Sequence, residues 1–386
     1  MRRVAIEEFL RESKNGLLLD VRSPAEYRHA HLPGAISLPL FTDEERKVVG
    51  TTYKQVSRQA AIKIGLDYFG PKMREMVEQV ESLAGSQQSA VSSKEIPAGD
   101  CRLPTANSLF IYCWRGGMRS GAVSWLLNLY GFNVTVLVGG YKAYRNHVLK
   151  SFEQPYAFKI LGGYTGSGKT EVLQQLKQSG EKIICLEGLA SHKGSAFGSI
   201  NMPPQPSQEM FENLLSRELE AVSYRQEEKN LEPRTSNLEH STTNHQPQTT
   251  NYIWLEDESQ RIGTVNLPNA FWQAMRNSPL YFLEIPFEER LKHITEEYSQ
   301  CDREKLADAI DRIKKRLGGL ETKNALQFLE EGNYLECFRI LLQYYDKQYL
   351  KGLHNREALA ALLTKIPCET VTEKNAALLS QPQTVL

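Results

Sequence analysis

The sequence predicts two α/β units in tandem, with a helical extension at the C-terminal end of the second. Three observations predict it. An apolar run at 108–112 feeds a glycine-rich loop that opens a helical pattern at 122–127. A second strand–loop–helix passage lies at 157–177, and from Glu288 onward the pattern is helical, through 306–310 and 334–349. Strands alternating with helices point to parallel sheets with crossover helices.

The elements follow in order. In the first unit, residues 1–150, residues 17–21 form a short buried strand, 24–28 start a short helix, 35–38 form a strand and 133–138 another. Gly139-Gly140 ends that last strand before a helix at 141–149. The stretch from about 84 to 107 is rich in Ser, Gln, Gly and Pro and reads as a surface insertion. Pro155 marks the boundary. The second unit, 156–290, adds strands at 182–186, 252–255 and 280–285 and a long helix at about 207–228. Residues 230–251 are almost wholly polar and are expected to be a disordered insertion. Residues 291–386 make a helical C-terminal region.

Bulk properties narrow the function. The 386 residues carry 46 basic and 46 acidic side chains, so any nucleic-acid surface must be a local patch. No apolar stretch is long enough to span a bilayer, and the basic N-terminus lacks the apolar segment of a signal peptide. Six scattered cysteines without a C-x-x-C pair argue against a zinc site and against a disulfide framework. A cytoplasmic location is the expectation.

Gly163-Tyr164-Thr165-Gly166-Ser167-Gly168-Lys169-Thr170 matches G-x-x-x-x-G-K-[ST], in the strand–loop–helix context that this phosphate-binding loop needs. Its glycines let successive N–H groups converge on a phosphate at the positive end of a helix. Gly163, Gly166, Ser167, Gly168, Lys169 and Thr170 are therefore candidate diphosphate ligands. Thr170 with Glu256, directly after the strand at 252–255, is a candidate magnesium site, and Asp257 would point the other way. The other loop begins with Cys113, followed by Arg115, Gly116, Gly117, Arg119 and Ser120. Backbone N–H groups, a helix N-terminus and two arginines there all favour a thiolate, either a nucleophile or a carrier of a chalcogen atom. The loop at 187–198 leaves the C-terminal end of a strand and offers His192 and Lys193, although a lone histidine is often mere surface decoration. Arg312, Lys314, Lys315 and Arg316 form a basic cluster on a helix, either a solvated face or a surface that tracks phosphates.

Residues 19–27, 31–36 and the Cys113 loop resemble a rhodanese domain. A rhodanese-like α/β domain fused to a P-loop NTPase-like α/β domain with a helical extension is similar to the bacterial tRNA 2-selenouridine synthases. Finer stretches carry the same resemblance: residues 49–55, 139–145, 186–190, 204–208 and 256–259. The resemblance covers roughly residues 4 to 350, apart from the two polar insertions. It implies an enzyme acting on tRNA that already carries a wobble 2-thiouridine, of the Lys, Glu and Gln types. Such an enzyme attaches a geranyl group from geranyl diphosphate to that sulfur, then replaces the geranylthio group with selenium from selenophosphate. Both small molecules are substrates, no tightly bound cofactor is implied, and a selenophosphate supplier is an implied partner. Trp254, Phe271 and Trp272 are candidates for a prenyl pocket, with core packing as the alternative. Two other readings stay open. Cys113 to Arg119 is also C-x₅-R, the spacing of cysteine phosphatases, though Tyr112 stands where many of these have histidine. The other is an ATP-driven adaptor for sulfur relay.

Overall fold

The computed structural model describes residues 1–91, 108–230 and 252–379, with the backbone alone at 86–91 and 223–230. The chain divides into two compact units, Met1–Ser151 and Phe152–Leu386.

The first unit is built on five parallel strands: β1 (Arg2–Val4), β2 (Leu17–Asp20), β3 (Ile36–Ser37), β4 (Ser108–Tyr112) and β5 (Asn133–Leu137). Their spatial order is β1-β5-β4-β2-β3, which puts β4 at the centre. Leu109 to Tyr112 are all buried, as a strand covered on both faces requires. The helix Pro24–His29 starts on a capping box of Ser23 and Glu26, with proline in its first turn.

Besides the short helix Ile6–Glu12, three longer helices here went unread in the sequence: Asp43–Gln55, Arg58–Phe69 and Met73–Val91. The first two carry weak or broken apolar stripes, and Ile62 and Leu66 stay exposed. The third corrects the start of the first expected insertion. It is helical through Val91, and Met76, Val80 and Ala84 pack into the core. The rest of that insertion, and residues 231–251 of the second, lie outside the described residues.

The second unit also has a parallel five-stranded sheet: β6 (Phe158–Gly163), β7 (Lys182–Ile183), β8 (Ile253–Glu256), β11 (Leu280–Glu284) and β12 (Leu363–Pro367). The order is β12-β11-β6-β8-β7, and a small antiparallel hairpin, β9 (Arg261–Ile262) with β10 (Val265–Asn266), follows β8. Two expectations change. The strand at 182–186 stops at Ile183, because Cys185 caps a short helix at Leu186–Ala190 by accepting the Gly188 N–H. The C-terminal region is not wholly helical: after the helices Arg303–Leu317, Gly319–Glu330 and Tyr334–His354 the chain returns to the sheet as β12. Those helices enclose a core of their own around Ile310, Phe338 and Leu341.

Candidate active site

Each unit carries one loop between the C-terminal end of its central strand and a helix. The first runs from Cys113 to Gly117, between β4 and the helix Met118–Tyr130. Backbone packing shapes it. Gly116 (φ +65°) and Gly140 (φ +58°) face each other so closely that a Cβ on Gly116 would lie 2.5 Å from the Leu137 carbonyl oxygen. Tyr141 N donates to Cys113 O at 2.8 Å, and Lys142 N to Trp114 O at 3.0 Å. Cys113 Sγ lies 3.2 Å from Ser120 Oγ. Burial alone would push this thiol up. The Ser120 hydroxyl, the Ser120 and Arg115 N–H groups and the charge of Arg119 outweigh it and hold the thiol below its ordinary value.

Beneath the loop a buried ion pair sets the frame. Arg22 Nη2 donates to Asp20 at 2.6 Å, the Arg22 guanidinium carbon lies over the Tyr141 ring at 3.8 Å, and Tyr112 Oη donates to the same carboxylate at 2.8 Å. Arg119 is placed differently from the sequence expectation. Its guanidinium is forked onto Glu26, at 2.6 and 3.3 Å, so its charge reaches Cys113 while two of its N–H groups go to a carboxylate. Burial works to raise the Glu26 carboxyl, but the bonds and charge of Arg119 bring it down to about 2. Arg115 is exposed and contributes its backbone N–H rather than its side chain.

The second loop, Gly163 to Thr170, joins β6 to the helix Lys169–Gln178. Gly166 (φ +79°) packs where a Cβ would meet Ile294 at 2.6 Å, and Gly168 (φ +68°) is the helix cap. Side chains from far along the sequence hold this loop. Arg290, almost fully buried, donates to Thr165 O at 3.1 Å and is forked onto Asp346 at 2.9 and 2.8 Å. Tyr349 Oη accepts from Gly163 N at 3.3 Å and donates to Asp257 at 2.7 Å, and Arg356 donates to the same carboxylate at 3.0 Å. Lys169 Nζ reaches Gly163 O at 3.1 Å.

A cavity of about 650 Å³ opens over this loop, lined by Lys169, Thr170, Glu187, Asp257, Glu258 and Arg276 among others. Glu256 is not in its wall. Its side chain is buried and accepts the Glu187 N–H at 2.8 Å, and burial followed by the charge of Glu187 raises its carboxyl to about 7. Its other oxygen, Oε2, is buried without a hydrogen-bond partner among the described residues, and Thr170, the other half of the expected magnesium pair, lines the cavity while Glu256 does not. Among the described residues no group of three or more His, Cys, Asp and Glu gathers as a metal site. The acids in the cavity wall are Glu171, Glu187, Asp257, Glu258 and Glu297, and the two nearest the end of β8 are Asp257 and Glu258. Strand alternation could not assign them, since β8 ends at Glu256. Burial and then the charge of Glu187 hold Glu258 well above the usual carboxylate range, against the pull of Lys169.

Two further expectations are corrected. His192 is buried, with a Gly198 Cβ position only 2.8 Å from its ring, so it serves packing rather than an RNA surface. Burial and then Arg312 keep it neutral by lowering its pKa. Trp254 and Phe271 sit in the sheet core, on Tyr281 and Phe158, and neither they nor Trp272 line the cavity. Lys193 does line the cavity and pairs with Glu297. On the helix Arg303–Leu317, Arg312 donates to Ala196 O and Lys314 pairs with Asp311, while Lys315 and Arg316 are exposed.

Comparison with known proteins gives a consistent frame. A family model for the tRNA 2-selenouridine synthase AAA domain matches residues 156–232 and 233–373, and one for the rhodanese-like domain matches residues 5–147. A tRNA 2-selenouridine synthase of Shewanella frigidimarina is 33% identical over 376 residues, covering 89% of this chain and 90% of that protein. One from Shewanella denitrificans is 35% identical, covering 86% and 87%, and one from Nitrosomonas europaea is 30% identical, covering 88% and 89%. The N-terminal domain of a Clostridium difficile 630 protein, described as a putative ATP/GTP binding protein, is 38% identical and covers 38% of this chain and 98% of that one, at a TM-score of 0.31.

Proposed function

Because the chain belongs to the tRNA 2-selenouridine synthase family, we propose that it converts wobble 2-thiouridine in tRNA to 2-selenouridine in two steps, one at each loop. The observation that carries this is the pairing, in one chain, of a thiolate-favouring anion loop with a phosphate-binding loop.

At the second unit, Gly163 to Thr170 cradles geranyl diphosphate. The wobble sulfur attacks the geranyl carbon next to oxygen, the carbon–oxygen bond breaks with its electron pair leaving on diphosphate, and the ring N3 proton is released to water, leaving a neutral S-alkylated base. Lys169 and the loop N–H groups stabilise that developing charge. At the first unit, selenophosphate binds in the Cys113 loop, which handles its selenium. A selenium–carbon bond forms at ring carbon 2, and the carbon–sulfur bond breaks with its pair on sulfur, which is protonated and leaves as geranylthiol. Water takes the phosphoryl group, releasing phosphate and leaving the carbon–selenium double bond. Alkylation makes sulfur a competent leaving group, which is why it comes first.

The tRNA partners are those with a wobble 2-thiouridine, of the Lys, Glu and Gln types, in the cytoplasm, beside a supplier of selenophosphate. The phosphatase reading gives the phosphate-binding loop of the second unit no part to play, and Tyr112 stands where many cysteine phosphatases have histidine. Mass spectrometry of wobble nucleosides from cells with and without the gene tests the proposal. Selenouridine and geranyl-thiouridine should both disappear without it, and unchanged levels of both would refute it.

A further inference from the structure

The first unit holds a second cavity, of about 600 Å³, that the two steps above do not use. That volume is within the range of small-ligand sites. Its walls are Leu40 and Phe41 after β3, Val49 from the helix Asp43–Gln55, Ile62 and Leu66 from Arg58–Phe69, and Met118 at the start of Met118–Tyr130. Several of these apolar side chains face water: Leu66 is 57% exposed, Met118 48% and Ile62 38%. Exposed apolar groups gathered around a concave site mark a binding surface more often than an accident of packing.

Position gives the cavity its meaning. Gly116 and Gly117 of the Cys113 loop belong to its wall, and so do Met118 and Arg119 in the first turn of the helix that follows the loop. The cavity therefore begins at the loop where selenium is handled. Arg119, the charge nearest that junction, is neutralised by Glu26, which leaves the wall apolar where it meets the loop. Arg3 and Arg58 also line the cavity, which suits an apolar group carried on a polyanion.

We propose that this cavity receives the hydrocarbon chain on the wobble sulfur of the alkylated tRNA, while selenium displaces that sulfur beside Cys113. The inference rests on the two-step reading and names the substrate feature that its second step recognises. The chain lodges between the helices Asp43–Gln55 and Arg58–Phe69 and the start of Met118–Tyr130. Burying it there presents ring carbon 2 to the Cys113 loop and leaves the departing thiol in an apolar site.

The test compares two RNAs with the same wobble base, one S-geranylated and one S-methylated on sulfur. Both have an alkylthiolate leaving group, so their difference isolates the chain. With selenophosphate and the full chain, the geranylated RNA should be preferred by on the order of a hundredfold in kcat/KM. Ile62→Glu with Leu66→Glu, both at exposed positions that tolerate substitution, should bring that ratio close to one. Equilibrium dialysis of the S-geranyl-2-thiouridine nucleoside gives an independent reading, with binding expected to weaken more than tenfold in the double variant. Wild-type discrimination and wild-type nucleoside binding in the double variant would overturn the proposal, and so would an effect confined to alkylation from geranyl diphosphate. Nucleoside binding that depends on Ile62 and Leu66, with no selenation of either RNA by the wild type, would instead sink the two-step reading and leave the chain site standing.

Discussion

The two loops share a plan and differ in what holds them. The Cys113 loop is held from nearby, by the glycines at 116 and 140 and by the backbone N–H groups of Tyr141 and Lys142 at the start of the helix Gly140–Ser151, and Arg119 beside it faces a carboxylate. The Gly163–Thr170 loop is held from afar, by Arg290, Asp346, Tyr349 and Arg356 on the C-terminal elements. One loop lies against an apolar cavity, the other under one lined with acids and bases. The difference teaches that a strand–loop–helix motif supplies anion binding, while its surroundings decide what chemistry accompanies the anion.

The largest expected effect comes from the thiol. Cys113→Ser should abolish selenium incorporation, leave alkylation intact and make geranyl-thiouridine accumulate in tRNA, as nucleoside mass spectrometry would read. Normal selenouridine in that variant would break the comparison at its root. Lys169→Ala acts on the other loop. Losing the charged donor to the leaving diphosphate should slow alkylation by on the order of a hundredfold to a thousandfold. A rate within twofold of wild type would remove the diphosphate from this loop.

Asp346→Asn separates the two modes of support. It leaves the Arg290 guanidinium buried without its anion, at a cost of about 3 to 5 kcal/mol. Hydrogen exchange should show faster opening in the second unit alone. Equal loosening of the Cys113 loop would contradict the division into near and distant support.

Acid titration should sharpen the contrast, because the two units carry carboxyls shifted in opposite directions. Glu26 is at about 2 in the folded chain against an ordinary 4.5. Its contribution is present above 4.5 and is lost as the pH falls toward 2. Glu256 is at about 7 against 4.5, so its contribution is full below 4.5 and is lost as the pH rises through 7. At about 1.4 kcal/mol per pH unit each effect is on the order of 3 kcal/mol at most, with Glu26, being partly solvated, the smaller. Glu256→Gln should keep the bond from Glu187 N and stabilise the second unit at pH 8 but not at pH 4. Hydrogen exchange at the two pH values reads this, and an equal effect at both would show that Glu256 is ionised throughout.

Much of this arrangement was legible in the sequence, and the reasons are local. Both loops lie within a dozen residues of their strand and helix, so apolar runs and glycines revealed them. Ser120 was found for the same reason. Arg290, Asp346 and Tyr349 were not, because nothing in a helix's periodicity says which polar residue turns inward to meet a loop over a hundred residues away. The acids failed differently. Alternation along β8 favoured Glu256 as the cavity acid, yet it is drawn inward to the Glu187 N–H, and the cavity is left to residues beyond the strand's end. The aromatic residues expected around a prenyl chain lie in the sheet core, and the apolar cavity belongs to helices with little apolar periodicity.

The smallest effect concerns RNA. Changing Lys314, Lys315 and Arg316 together to Gln should flatten the slope of log affinity for tRNA against log salt by roughly one for each phosphate no longer neutralised. Lys314 is already paired with Asp311, so a change nearer two than three is expected in filter binding across a salt series. An unchanged slope would make the cluster a solvated helix face.

The central claim is that the two loops perform separable steps. The most direct measurement supplies RNA already S-geranylated at the wobble position to Lys169→Ala and to Cys113→Ser, with selenophosphate, and follows selenouridine. The account predicts that Lys169→Ala selenates this RNA at close to the wild-type rate and that Cys113→Ser does not selenate it at all. Failure of both variants alike would contradict it, because the phosphate-binding loop would then be needed for the selenium step as well.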